Sequence, residues 1–487
     1  MISFFSIRRC LLPLLAATLL VASPAAGDER FPLPDELRPD VEFWLKVFAT
    51  WSTDEGALHD NRHLGVVYET LALPANLSRR DSNRRIRERR AHYRAILEQL
   101  ASGKREGLSD EQSRVLALWP AEVTNAELAA AAGRIRFQRG LRERFREGLE
   151  RAGRWRPYVH NALARLNVPL ELAALPHVES SYNPAARSHV GASGIWQFTR
   201  GTGRRFMRVD HVVDERNDPY SASVAAGELL AYNYSITGNW PMAITAYNHG
   251  LAGVRRAMRE FGDDNLVGIL REYRGRTFGF ASRNFYVAFL AAKTIDLDPQ
   301  TYFPGVQPEP PLDYERAVLP AFIPAASLAA SLGIGEDELA RHNPALQATV
   351  WQGSKHVPQG YELRLPGALL AAPLPDLLDG IDGGAWAAEQ LPDLYHVVAR
   401  GDTLSEIAQA YRTRVSTLVA LNNLGSRHRI RIGQRLRLAQ HRQVIAGQRV
   451  DRPAGGPQPR RLAVDHVAEA EEPARRPGRA MHVVPGE

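Results

Sequence analysis

Cysteine is almost absent from this 487-residue chain: Cys10 is its single thiol. That excludes an internal disulfide framework and any cysteine-rich metal site. No run of 18 uninterrupted apolar residues occurs, which excludes a polytopic membrane protein. The marks of wholesale disorder are missing too, because 44% of the residues are hydrophobic and 24% charged. The chain is too long for one ordinary core, so about two to four domains are expected. The formal net charge of +7 suits an acidic polymer or surface as partner without selecting one.

The N-terminus reads as an address. Arg8 and Arg9 form a positive segment, Leu11 to Ala22 is a short apolar run containing Pro13, and Ala22, Ser23, Ala25 and Ala26 offer a cleavage site before Gly27 or Asp28. Residues 1–27 are therefore expected to be a signal peptide and the protein to be exported. Cys10 precedes the apolar run, so it is not placed like a lipoprotein cysteine.

Composition divides the rest. Residues 28–150, rich in Glu, Arg, Ala and Leu, predict a helical N-terminal extension. Its cluster Arg79, Arg80, Arg84, Arg85, Arg87, Arg89 and Arg90 has no interleaved aromatics. It reads as a solvated helix face or a patch toward an anionic cell surface, not as a nucleic-acid site. Residues 151–305 form a denser helical block, and the four prolines of Thr301–Arg316 mark a boundary. A mixed segment at 318–366 is followed by an expected linker at 367–393, a compact unit at 394–440 and a disordered tail at 441–487.

The segment Val168 to Pro184, VPLELAALPHVESSYNP, carries the most chemistry. Pro169 suits the first turn of a helix on which Leu172, Leu175 and Glu179 share one face. A carboxyl on the buried stripe near a helix C-terminus has its pKa raised by desolvation and by the helix dipole. Such a group is protonated near neutral pH and able to donate to a leaving oxygen. Periodicity alone leaves a second reading equally open, a helix-end glutamate turned to solvent. Gly191 and Gly194 suit a tight loop, and Gly250 a helix cap. Trp196, Trp240, Tyr182 and Tyr220 read equally as core residues or as sugar-stacking platforms. His177 has no second ligand spaced for a metal, so neither metal nor cofactor is expected.

Glu179-Ser180, then Gly191-Ala192-Ser193-Gly194-Ile195-Trp196-Gln197-Phe198, then Ala246-Tyr247-Asn248-His249-Gly250 stand in an order that resembles the lytic murein transglycosylases, the soluble-lysozyme-like family related to goose-type lysozyme. The resemblance runs from about Trp155 to Ile295 and includes Arg283-Asn284-Phe285-Tyr286. The overall layout resembles the membrane-bound transglycosylase D type. The resemblance implies a mainly α protein with a lysozyme-like helical catalytic domain. Glu179 would be the single catalytic acid and base, with Ser188, Gln197, Tyr247, Asn248 and Tyr286 as substrate-binding residues. His249 departs from the small residue usual in the family. The implied reaction cleaves the β-1,4 bond between N-acetylmuramic acid and N-acetylglucosamine and leaves 1,6-anhydro ends. Asp210, Asp214 and Asp218 are among the nearest downstream acids, and none lies in the matched motifs. A hydrolytic muramidase and a non-catalytic wall-binding scaffold are the competing readings.

Residues 395–438 predict strand, helix, helix, strand, with Thr403 and Glu406 spaced as a capping box. Gly401-Asp402-Thr403-Leu404, Asn422-Asn423 and Ile432-Gly433-Gln434 resemble a LysM domain, a small βααβ module. This implies glycan binding by Gly401, Asp402, Thr403, Leu404, Asn422 and Asn423. Residues 318–366 form a fainter copy without the Gly-Asp-Thr-Leu element, expected to pack against the catalytic domain. His482 to Glu487 resembles the opening of a further module that then stops, so truncation is expected. The expected partner is the peptidoglycan glycan strand, with no nucleic acid, in a periplasmic setting with peripheral membrane or envelope association.

Overall fold

The computed structural model describes residues 29–438 except 394, 400, 412 and 426–428. The expected signal peptide, the tail and the His482 segment lie outside the described residues.

Helices dominate, and the first of them contribute to the main core. Helix Arg38–Leu45 buries Val41, Phe43 and Trp44. Phe31 meets Phe289 at 5.3 Å between ring centroids, Trp44 meets Phe280 at 6.4 Å, and Phe48 meets Phe145 at 5.0 Å. These aromatics share one hydrophobic core with the 151–305 region. The start of the N-terminal extension is thus built into that region.

The N-terminal extension is mainly helical, as expected, but it also carries a sheet that the sequence did not show. Strands β1 (Glu55–Asp60), β2 (Val67–Ala72) and β3 (Ile135–Arg139) form an antiparallel sheet in the order β2-β1-β3. The strands have five or six residues, and β1 is buried on both faces, so it lacks the alternation that signals a strand. Helix Arg79–Ala101, capped by Ser78, lays Tyr93, Leu97 and Leu100 on a second core with Leu58 and Tyr68. Its basic face is partly compensated by acids, with Arg89 2.7 Å from Glu69 and Arg84 2.7 Å from Asp81, while Arg79, Arg80, Arg85 and Arg87 are exposed.

Helix Arg142–Arg165 is the spine of the central region, with helices Pro219–Thr237, Trp240–His249 and Phe280–Leu297 around it. The proline-rich segment lies along this spine, where Glu309 N–H donates to Glu150 at 2.8 Å. Next comes a module in which β4 (Tyr314–Val318) pairs antiparallel with β5 (Glu362–Pro366). Helices Ala325–Ser331 and Glu336–His342 lie between them. Val212 and Val213 of the central region enter the module's core, and Arg364 reaches Asp218 at 2.6 Å.

The linker expectation at 367–393 is also corrected. Helix Leu374–Asp379 buries Leu374 and Leu378 in the module's core, and Phe322 bridges to Ala387. The Ala-, Gly- and Pro-rich composition hides a helix too short to show a period. The last unit is small: β6 (Tyr395–Val397) pairs with β7 (Arg435–Arg437) around helices Leu404–Ala410 and Val415–Leu421. The Thr403–Glu406 capping box is present.

If residues 29–48 belong to the central core, Trp44→Ala should lower its unfolding free energy by about 3–5 kcal/mol. Denaturant melting followed by near-ultraviolet circular dichroism checks this. A melt of the central region unmoved by the substitution would show the N-terminal segment to be an independent unit.

Candidate active site

Glu179 sits on helix Leu175–Ser180, which continues a 3-10 turn at Leu170–Ala174. Leu172 and Leu175 are fully buried and Glu179 is only 8% exposed, so the carboxyl lies on the inward face and the solvent-facing reading is excluded. Among the described residues it has no hydrogen-bond partner. Burial alone pushes its pKa up to about 8.

The chain leaves this helix through two consecutive left-handed residues, Ser181 at φ 50° and Tyr182 at φ 54°. Non-glycine residues take that region at a cost, so surrounding bonds must hold them there. Arg151 donates twice to the Ser181 carbonyl, at 2.8 and 3.1 Å. Ser180 Oγ donates to the Ile195 carbonyl at 2.8 Å, and the Tyr182 hydroxyl donates to Ala173.

The glycine-rich loop is braced from within and below. Ser188 Oγ accepts from Ala192 N–H at 2.9 Å. Gln197, itself left-handed at φ 48°, donates its side-chain amide to the Gly194 carbonyl at 2.8 Å. Trp196 is fully buried and its indole N–H donates to Ser223 at 2.9 Å. Beneath the loop lies Arg216, 2% exposed, in a bidentate pair with Asp214 at 2.8 and 2.7 Å. Its remaining amino group donates to the Gly191 and Phe198 carbonyls at 2.8 and 3.0 Å. Gly194 adopts φ +80°, and a Cβ there would fall 1.7 Å from the Arg216 carbonyl oxygen. No other residue fits.

Helix Trp240–His249 brings the third motif. The Tyr247 hydroxyl donates to the Trp196 carbonyl at 2.7 Å. Its pKa is raised by burial and, second, by the charge of Glu179, which places the phenol within electrostatic reach of the acid. Asn248 Oδ1 is buried without a hydrogen-bond partner, an acceptor left for something outside the described chain. His249 is buried, with Nδ1 3.3 Å from Ser282 Oγ. Its ring fills the space over Gly253, where a Cβ would meet Nε2 at 2.3 Å.

Glu179, Tyr247 and the loop bearing Ser188 and Gln197 are therefore linked, with Asn248 adjacent in sequence to Tyr247. Tyr286 is different. It is fully enclosed and its hydroxyl donates to the Pro32 carbonyl at 2.8 Å, so it fastens the N-terminal segment and presents no free hydroxyl to a cleft. Arg151 and Arg216 were missed in the sequence, because they act through backbone carbonyls that no spacing reveals, and Asp214 was read there only as a nearby acid and not as the partner of Arg216. Tyr182 and Trp196 are core residues. His177 is enclosed, stacked on Phe145 at 4.9 Å and bonded to Asp296 at 2.8 Å. No group of three metal-ligating side chains occurs among the described residues.

In the 394–440 unit, Gly401 is left-handed and Leu404 lies in the small core. Thr403 caps the first helix, Asn423 is left-handed at φ 49°, and the Asn422 amide bonds to Leu418 and Arg437. Asp402 accepts from Ala399 N–H at 2.7 Å, from His396 at 2.9 Å and from Arg200 of the central region at 2.7 Å. A Cβ on Gly401 would stand 3.9 Å from Gly191, so this loop faces the glycine-rich loop.

Residues 158–266 match the family described as Transglycosylase SLT domain, and residues 396–439 match the LysM domain. The first match encloses Glu179, Ser188, Gln197, Tyr247 and Asn248 and ends before Tyr286. The chain is 26% identical over 318 residues to membrane-bound lytic murein transglycosylase D of Escherichia coli (strain K12), across 58% of this chain and 66% of that protein. It is 35% identical over 103 residues to a putative tributyltin chloride resistance protein of Alteromonas sp. (strain M-1), across 21% of this chain and 50% of that one. The chain thus spans just under two thirds of the first relative's length. Against the solved 70 kDa soluble lytic transglycosylase of Escherichia coli, identity is 22% over 30% of this chain and 24% of that one, with a TM-score of 0.24.

Two outcomes follow from the site. Gly194→Ala should destabilise by about 3 kcal/mol or more, because the new Cβ meets backbone that cannot swing aside. Thermal melting tests this, and an unchanged midpoint would contradict the loop geometry. The Glu179 pKa is raised on folding from 4.5 to about 8, so the unfolded chain ionises first as pH rises. Its effect on stability is nil below about pH 4.5, turns increasingly unfavourable up to about pH 8, then levels off. Glu179→Gln should accordingly melt like the parent near pH 4 and above it near pH 9. A difference independent of pH would mean that the carboxyl is solvated.

Proposed function

We propose that this chain, which carries a transglycosylase SLT domain and a C-terminal LysM domain, is a peptidoglycan lytic transglycosylase that works with Glu179 as its one acid and base. The observation that carries the reading is the desolvated Glu179 carboxyl, which has no hydrogen-bond partner among the described residues, while each acid from 210 to 218 is committed, Glu215 accepting from Arg208 N–H at 2.6 Å. Asp210 accepts from Val212 and Val213 N–H at 2.7 Å, Asp214 is locked to Arg216, and Asp218 caps helix Pro219–Thr237 and holds Arg364. Glycosidases that hydrolyse with two carboxyls need a second one free across the bond.

Glu179, protonated at neutral pH, donates its proton to the oxygen linking N-acetylmuramic acid to N-acetylglucosamine. The substrate's N-acetyl group stabilises the positive centre left at C1. The Glu179 carboxylate then takes the proton of the muramoyl C6 hydroxyl as that oxygen bonds to C1, closing the 1,6-anhydro ring. Atoms balance without water, and Glu179 ends protonated. Asn248 Oδ1 supplies an unfilled acceptor for an amide N–H of the substrate, and the Ser188 hydroxyl keeps its proton to donate. Tyr247, tied to the Trp196 carbonyl, keeps the wall beside the acid apolar and dry.

The LysM domain supplies the second grip on the glycan. Export to the periplasm follows from the expected signal peptide. The curated relative is named as membrane-bound, and no helix among the described residues is long and apolar enough to cross a membrane. Attachment to the envelope through peptidoglycan fits both.

Mass spectrometry of the soluble products released from isolated peptidoglycan tests the proposal. Muropeptides lighter by one water than the reducing forms are expected, whereas reducing ends would assign the chain as a hydrolytic muramidase. Glu179→Gln should lower the release rate by about a hundred- to ten-thousand-fold. Because the reaction begins with protonated Glu179, the rate should fall as pH rises through about 8. A rate still rising beyond that pH would take the proton donation away from Glu179.

A further inference from the structure

Two adjoining cavities lie away from Glu179. A cavity of about 940 Å³ and an adjoining one of about 520 Å³ share Arg30, Tyr234 and Trp240 along their walls. Neither is lined by Glu179, Ser188, Gln197, Tyr247 or Asn248. Trp240 opens the helix on which Tyr247 stands two turns later, so the two places are separated by about 10 Å of helix.

The chemistry of the walls selects a ligand class. Tyr234 and Trp240 stack with ring centroids 4.4 Å apart, and Tyr234 is 39% exposed. The exposed Leu170 and Leu297 also line the larger cavity. Its charges cancel in pairs: Arg30 bonds to Glu171, and Arg156 holds Asp296 in a bidentate pair. What remains in the larger cavity is neutral, whereas Glu29, Asp263 and Asp264 make the smaller one acidic. The His160 imidazole, the Asn167 amide, the Tyr234 hydroxyl and the Trp240 indole N–H have no hydrogen-bond partner among the described residues. Burial, then the charge of Arg156, lowers the His160 pKa and keeps that ring uncharged. An ionic ligand would find no net charge here, and a purely apolar one would strand the neutral donors. A pyranose ring offers an apolar face to an aromatic platform and neutral hydroxyl and amide groups to the walls.

We propose that the larger cavity is a further saccharide site, separate from the cleft and from the LysM domain, that takes uncharged N-acetylated sugar rings stacked on the exposed Tyr234 ring, which the buried Trp240 backs. Its biological polymer, peptidoglycan, rests on the function proposed above, but the chemistry of the site does not.

The test uses the full chain carrying Glu179→Gln, titrated with the tetramer of N-acetylglucosamine while the indole N–H signals are followed by nuclear magnetic resonance. Trp240→Phe assigns the signal. A saturable shift of the Trp240 indole is expected, weakened at least tenfold by Tyr234→Ala. Asn167→Gly, which suits the left-handed backbone at that position (φ 54°), is a second variant should Tyr234→Ala fail to fold. A Trp240 signal that stays still while other signals saturate overturns the proposal, as does a shift unaltered in the folded variants. Failure to release muropeptides would remove the lytic reading and leave this shift where it is.

Discussion

A guanidinium almost sealed from solvent organises the candidate site. Arg216 and Asp214 are each 2% exposed, and two charges at that depth are tolerable only because each satisfies the other in bidentate geometry. Arg216 then spends its other donors on the Gly191 and Phe198 carbonyls, at both ends of the glycine-rich loop. Its own carbonyl occupies the space that a side chain at Gly194 would need. Asp214 N–H donates to Ala345 at 2.8 Å, so the same residues couple the loop to the neighbouring βααβ module. Ion pair, glycine and module contact form one unit.

Opposite that braced loop stands a group left without support. Most buried polar atoms in a folded chain are paired, yet among the described residues Glu179 has no hydrogen-bond partner and Asn248 Oδ1 is buried without one. Two left-handed residues follow Glu179 directly. The rest of the fold offsets these costs with the core that runs from Phe31 to Val306. Concentrating desolvation, unfilled acceptors and backbone strain within a few residues is what sets a reacting site apart from ordinary packing.

The sequence made some of this legible and hid the rest for identifiable reasons. The inward face of Leu172, Leu175 and Glu179 follows from helical spacing, a purely local property. The LysM unit was equally readable, because its Thr403–Glu406 box and its asparagine turn are local. The sheet β2-β1-β3 was not, since β1 has no exposed face to give it a period. The helix at Leu374–Asp379 was lost in a composition typical of linkers. Tyr286 was expected to bind substrate by resemblance, while its hydroxyl donates to the Pro32 carbonyl, 254 residues away in sequence. Arg151 and Arg216 bond to main-chain oxygens, which every residue owns, so no residue pattern announces them.

That distance between Pro32 and Tyr286 also has a meaning in time. Phe31, Trp44 and Phe48 are made early, but two of their partners, Phe280 and Phe289, are made near the end of the region. At about 5–20 residues per second, the ribosome leaves these aromatics uncovered for roughly ten seconds to a minute. The central region can close only when helix Phe280–Leu297 arrives, so its folding waits on its last major helix. Until then these rings have no complete core to enter, and the acid at position 179 has no desolvated home.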